Sequence, residues 1–109
     1  MDRQTFIDRL RAWAARADDE VIYSHGTAQV AWQGQGSVLR ALASVVATGN
    51  IAPAALRLQI IADRQKTLAA WNAERDVEHA ARFTGEVQGY ELVLELLTDA
   101  DAWGVPVAR

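Results

Sequence analysis

Cysteine is absent from all 109 residues of the sequence. This absence excludes a disulfide-stapled scaffold, a thiolate zinc site and a cysteine nucleophile, and it fits a reducing compartment. Histidine is nearly as scarce, since His25 and His79 are its only two copies. The scarcity restricts both acid–base catalysis and metal binding by histidine.

Long hydrophobic runs are also missing. No segment approaches the roughly 20 consecutive apolar residues of a membrane-spanning helix. Met1 is followed by Asp2 and Arg3 rather than by a basic stretch and an apolar run, so we expect no signal peptide. We therefore expect a cytoplasmic protein that has no membrane partner.

Positive charge is lacking from one part of the chain. Between residues 83 and 108 there is no Lys or Arg, whereas five acids occur there: Glu86, Glu91, Glu95, Asp99 and Asp101. Basic residues elsewhere are scattered, and nucleic-acid binding usually requires clustered positive charge, so we do not expect a nucleic-acid partner. The acidic segment is compatible with a basic protein partner and with an ordinary solvated surface.

What the sequence does contain predicts a mainly α-helical fold. Half of the residues are hydrophobic and 23% are charged, as in a globular domain. Apolar residues recur at helical spacing over 3–17, 38–48, 54–76 and 83–98. We predict a compact bundle of about four helices in a single domain over residues 1–109, with a short C-terminal tail from about residue 99.

The stretch from Val21 to Trp32 is ambiguous. Val21, Ile22 and Tyr23 favour a strand, and His25–Gly26 could form the turn of a short β-hairpin with residues 28–32. An irregular loop that leads into the next helix is the alternative, because an isolated hairpin is only marginally stable.

Two groups of residues carry the side-chain types of catalytic or metal sites. Ser24, His25 and Asp19 supply the residue types of a triad, but no nucleophile-elbow pattern accompanies them. Asp76 and His79 have the i, i+3 spacing of half a metal site in a helical bundle, and the second copy of that motif is missing. We therefore predict a protein that is not an enzyme and holds no cofactor or metal.

Gly34-Gln-Gly36-Ser37 is the one motif with a plausible small ligand. If Ser37 caps a helix, the backbone N–H groups at its start could bind an anion, and the glycines would let the ligand approach closely. The third glycine of a dinucleotide fingerprint would fall at Leu39, so the full motif is not present. The alternative function is thus a binding module for a phosphate-bearing ligand or nucleotide at Gly34, Gly36 and Ser37.

The last helix has apolar residues on two faces. Phe83, Val87, Tyr90, Leu94 and Leu97 form one stripe, and Gly85, Gly89, Leu92 and Leu96 form a second stripe roughly opposite. Such a helix needs two neighbours, which belong either to this chain or partly to another. Two glycines within a helix also favour a close backbone contact, because each costs roughly 1 kcal/mol against alanine. The candidate interface residues are Gly85, Gly89, Leu92, Leu96, Glu91, Glu95 and Trp103.

Four tryptophans are present, at positions 13, 32, 71 and 103. Trp13 and Trp71 fall on apolar helical faces, so we expect them in the core. Trp32 and Trp103 lie in less regular segments and are candidates for exposed interface anchors, or for loop residues that pack on the bundle.

The segment ARFTGEVQGYELVLELL, from residue 81 to Leu97, resembles the last helix of many small phage-encoded proteins. In those proteins a glycine-containing helical turn leads into a leucine-rich end. The resemblance covers about one sixth of the chain and implies a phage accessory or virion-associated protein. We therefore expect a protein-interaction function, with the chain itself, a virion component or a host protein as partner.

Overall fold

Four α-helices make up the computed structural model, which describes residues 1–98 and 103. They are α1 (Arg3–Tyr23), α2 (Gly26–Thr48), α3 (Pro53–Ala73) and α4 (Val77–Leu97). The predicted helical bundle is confirmed, and the described residues contain no strand. None of these helices combines the length and apolar character that crossing a membrane requires. Most of the predicted tail lies outside the described residues.

Residues 21–32 form neither of the two alternatives, a hairpin or an irregular loop. α1 continues through Tyr23, and α2 begins at Gly26 after a two-residue connection. Gly26 adopts a positive φ of 61°, a conformation that glycine reaches without steric cost and that allows this tight connection. The Gln29 side chain then donates a hydrogen bond of 2.9 Å to the Val21 carbonyl oxygen, which satisfies a carbonyl group in the last turn of α1.

The acidic run Asp18–Asp19–Glu20 lies near the C-terminus of α1, where negative charge opposes the helix dipole. Its charge is partly balanced across the helix pair, because Arg40 Nη1 of α2 lies 2.7 Å from Asp18 Oδ1. At the other end of the α1–α2 pair, Arg3 of α1 contacts α2. Its guanidinium donates hydrogen bonds to the carbonyl oxygens of Val46, Ala47 and Gly49, at the C-terminus of α2.

The helices pack as a row in the order α1, α2, α4, α3. α1 packs on α2, α2 on α4, and α4 on α3. α3 makes its main helix contact with α4, so it stands at one end of this series.

The hydrophobic core lies toward one end of the molecule. It brings together the first half of α1, the second half of α2, the first turns of α3 and the last turns of α4. The fully buried large side chains are Phe6, Leu10, Leu39, Leu56, Ile60, Leu97, Val46 and Val93. At the opposite end Ile22, Tyr23 and Val77 stay exposed. Stability therefore comes mainly from the end that contains the core.

Candidate functional site

The glycines of the predicted anion site lie inside a helix. Gly34, Gly36 and Ser37 belong to the middle of α2, and Ser37 is not an N-cap, because α2 begins at Gly26. The predicted helix start is therefore wrong, and the N–H groups that would bind an anion belong to the interior of a helix, where they bond to preceding carbonyl groups. Gly34 has another role: a Cβ there would overlap the carbonyl oxygen of Arg82 in α4.

The two glycines of α4 face α2 of the same chain. A Cβ on Gly85 would overlap the backbone carbonyl of Ala31, and one on Gly89 would lie 3.1 Å from the Cβ of Val38. Both glycines are buried. Gly34, Gly85 and Gly89 thus form an intramolecular crossing, which we call the glycine crossing, and the pair does not present an open face to a second chain.

The rest of the predicted interface divides between the core and the surface. Leu96 is a core residue, while Leu92 is half-buried beside a shallow groove between α1 and α4. Glu95 is exposed along the same groove. Glu91 forms an ion pair of 2.8 Å with Arg64 of α3. Of the acidic segment, Asp99 and Asp101 lie outside the described residues.

The tryptophans differ in how their predictions turn out. Trp103 is 4% exposed and packs against Phe6, with 4.7 Å between the ring centroids. Of the two alternatives for Trp103, packing on the bundle is the one observed, and the residue is not an exposed anchor. Trp71, which we expected in the core, is 39% exposed near the end of α3. Trp13 and Trp32 are half-buried beside a groove that Leu92 also lines.

The histidines hold structural or exposed positions. His25 precedes α2 at its N-cap and makes no side-chain cap bond. Asp76 caps α4, because its carboxylate accepts a 3.0 Å hydrogen bond from the backbone N–H of His79. The pKa of Asp76 is lowered, chiefly by that bond. Residues 1–98 and 103 contain no cluster of three or more His, Cys, Asp or Glu side chains that could hold a metal ion.

A groove of about 320 Å³ separates α2 from α3 above α4. Apolar side chains of α2 form one wall, Asp63 lies on α3, and Glu86 and Tyr90 of α4 contribute to the lining. Burial raises the pKa of Glu86 although Arg82 lowers it in part. The pKa of Tyr90 is raised by burial, then by the charges of Asp63 and Glu86. The groove thus holds two carboxyl groups, those of Asp63 and Glu86, and the Glu86 carboxylate lies 3.6 Å from Nε of Arg82.

One side of α3 is exposed and uncharged. Leu58 is 70% exposed and Ile61 is 43% exposed, on the side of α3 that faces away from α4. Six uncharged, exposed residues follow the length of this side, which we call the α3 outer face: Ala55, Leu58, Ala62, Gln65, Ala69 and Asn72. Helical spacing places Leu58 and Ile61 on one side of this segment and Leu56 and Ile60 on another, and only the side with Leu56 and Ile60 is covered.

The same geometry explains the two faces of α4. Gly85 and Gly89 meet α2, whereas Glu91 pairs with Arg64 of α3. Both neighbours of α4 thus belong to this chain, and the helix with an unpaired side is α3.

Comparison with protein-family models, with curated proteins and with solved structures finds no match to this chain.

Proposed function

We propose that this chain is a non-enzymatic protein-interaction protein that docks another α-helix on the α3 outer face. One observation carries the proposal: a 21-residue surface helix presents a whole side without a charged residue, with Leu58 70% exposed in its middle. A surface helix that faces only water normally carries charged or polar residues on its outer side. Contiguous exposed apolar surface is typical of protein–protein contacts.

The shape of this surface favours a helix as the docked element. Alanine occupies three of its six positions, so a second helix axis can approach closely. The repeat extends over about five turns, which is long enough for the helix-pair mode of recognition. A phage accessory role, with a virion or host protein as partner, remains a prediction that rests on the resemblance of residues 81–97. The absence of cysteine supports the cytoplasm as the place of action.

The natural absence of cysteine allows a direct test of the α3 outer face. Leu58→Cys introduces a single thiol on that face, and Ala12→Cys introduces a matched thiol on the exposed side of α1. Each variant is expressed in cells of the organism that encodes the protein and treated with a membrane-permeant maleimide. We expect the thiol at position 58 to react at least about tenfold more slowly, because a docked helix excludes the reagent. Equal rates would refute the proposed function.

A further inference from the structure

The groove between α2 and α3 has an apolar wall on α2. Val38, Ala41, Leu42 and Val45 form this wall, at the intervals of three and four residues that place side chains on one side of a helix. The wall extends for about 10 Å along the helix axis. Because the groove volume of about 320 Å³ lies at the lower end of the range for small-molecule sites, the groove has room for a small ligand with an apolar part.

The other sides of the groove carry more negative than positive charge. Asp63 of α3 and Glu86 of α4 both line it. Glu86 has a cationic neighbour, since its Oε1 atom lies 3.6 Å from Nε of Arg82. Asp63, in contrast, forms no ion pair with any residue in 1–98 or with residue 103. Two carboxylates and one guanidinium leave one negative charge unbalanced, and a single monovalent cation would balance it.

The hydroxyl group of Tyr90 lies within the electric field of both carboxylates. The pKa of Tyr90 is raised by burial and further by the charges of Asp63 and Glu86. The three polar groups therefore act on the same part of the groove. An aromatic ring beside two carboxylates attracts an ammonium group through the ring quadrupole as well as through the charges.

An organic cation suits this lining better than a metal ion does. Divalent ions such as Ca²⁺ and Mg²⁺ take about six oxygen ligands or more, and no cluster of three or more His, Cys, Asp or Glu side chains that could hold a metal ion exists in the described part of the chain. An apolar wall does not help to bind a metal ion. It does bury the apolar part of an organic cation, which favours binding.

We propose that the groove between α2 and α3 binds a small organic amine. The ammonium group of the ligand contacts Asp63, Glu86 and Tyr90, and its apolar part lies on the α2 wall. The site uses none of the residues of the α3 outer face, so this proposal goes beyond the proposed function and does not depend on it.

A free amine suits the groove better than a lysine side chain of a partner protein. Arg82 connects α4 to α2 at one end of the groove, because its Nη2 atom lies 3.5 Å from the Oγ atom of Ser37. A lysine side chain would also bring its own peptide groups against the apolar wall, where burial without hydrogen-bond partners is costly. A small amine carries no such groups.

The first test titrates the full chain with phenethylammonium chloride and follows the backbone amide signals by NMR. We expect saturable shifts at Asp63, Glu86 and Tyr90 with a Kd on the order of 1 mM, a realistic affinity for a ligand of so few atoms. The neutral probe 2-phenylethanol has the same ring, and it should bind at least about tenfold more weakly because it forms no ion pair in this partly shielded site. Shifts that do not saturate, or equal binding of the alcohol, would overturn the proposal.

The second test locates the site by removing one charge at a time. Asp63→Asn and Glu86→Gln keep the shape of each side chain, and each should weaken binding of phenethylammonium by about fivefold or more. Glu95→Gln is the matched control, because Glu95 is exposed on α4 outside this groove, and its Kd should equal that of the parent chain. Amide signals outside the groove verify that each variant is folded. Parent-like affinity in both groove variants, or an equal loss in the control, would overturn the proposed site.

The third test distinguishes a free amine from a lysine side chain. Nα-acetyl-lysine N-methylamide carries the same ammonium group together with the peptide groups of a protein chain. We expect it to bind more weakly than phenethylammonium. Tighter binding of the lysine derivative would make a partner's lysine the occupant and overturn the assignment to a small amine.

Discussion

The glycine crossing gives the sharpest prediction about stability, through the substitution Gly85→Ala. Alanine is a better helix former than glycine by about 1 kcal/mol, so propensity alone predicts a more stable protein. The added Cβ, however, would occupy the space of the Ala31 carbonyl group. That obstacle is the backbone of another helix and cannot rotate away, so α2 and α4 must move apart.

The magnitude follows from these two opposing effects. Overpacking a well-packed contact costs about 1–3 kcal/mol, and a backbone obstacle places this site near the upper end. After subtracting the gain in propensity, we expect the free energy of unfolding to fall by about 2 kcal/mol. For a chain of this length that loss lowers Tm by roughly 10 °C. It is also a substantial part of the ~5–15 kcal/mol that stabilises a typical domain.

Gly36→Ala is the matched control. Its Cβ would lie 3.3 Å from the Nη1 atom of Arg40, and 3.4 Å from both the Oδ1 atom of Asp18 and the Cβ of Ala17. The Arg40 and Asp18 atoms end flexible, exposed side chains that can shift, whereas the Ala17 Cβ is fixed and only just within an ordinary contact distance. This contact offsets part of the gain in helix propensity, so we expect Gly36→Ala to change the free energy of unfolding by less than about 0.5 kcal/mol. Urea unfolding followed by far-UV circular dichroism and tryptophan fluorescence measures both variants. A Gly85→Ala protein as stable as the Gly36→Ala protein would show that the close crossing does not exist.

Three further substitutions test other contacts by the same unfolding assay. Trp103→Ala should cost about 3 kcal/mol, because it empties a core site against Phe6; a loss below 1 kcal/mol would contradict that burial. Arg3→Ala should cost about 1 kcal/mol, since three carbonyl groups at the C-terminus of α2 lose a charged but partly exposed donor, and Arg3→Lys should recover part of it. Burial raises the pKa of Glu86, so ionisation of this carboxyl group destabilises the fold. The free energy of unfolding therefore falls as pH rises from 4.5, the pKa in the unfolded chain, through the higher pKa of the folded protein. Glu86→Gln should therefore be more stable than the parent chain at pH 7, and the difference should shrink below pH 4.5; an advantage that is independent of pH would refute the linkage.

The sequence predicts the fold class well because the core residues follow helical periodicity. Phe6 and Leu10 of α1, and Leu39 and Leu42 of α2, are buried as their spacing indicates. These predictions depend only on which residues share a helical face. Local sequence is sufficient for that purpose.

The errors occur where a distant part of the chain offsets a local preference. Gly34 and Gly36 favour a helix that starts at Ser37, yet Gly34 lies inside α2, where α4 packs directly against it. The acids at 18–20 oppose a helix end, yet Arg40 lies 2.7 Å from Asp18. Neither compensation can be predicted from a single segment, since tertiary packing routinely overrides propensity.

The exposed side of α3 was missed for a related reason. Helical spacing places apolar residues on two sides of α3, but it does not show which side packs against another helix. The buried side of α3 is the one that packs against α4, and this pairing is a property of the whole fold. The burial of Trp103 likewise depends on contact with Phe6, about 100 residues earlier in the sequence.

The glycine crossing also has a consequence for the order in which the protein folds. α1 and α2 are joined by a two-residue connection, and α3 and α4 by a three-residue one, so each hairpin can form rapidly from local contacts. Ala31 and Gly85, in contrast, are 54 residues apart and meet only when the two hairpins dock. The main entropic cost of loop closure therefore falls on one late step. A single bulky residue at that crossing would obstruct the step that turns two hairpins into one domain.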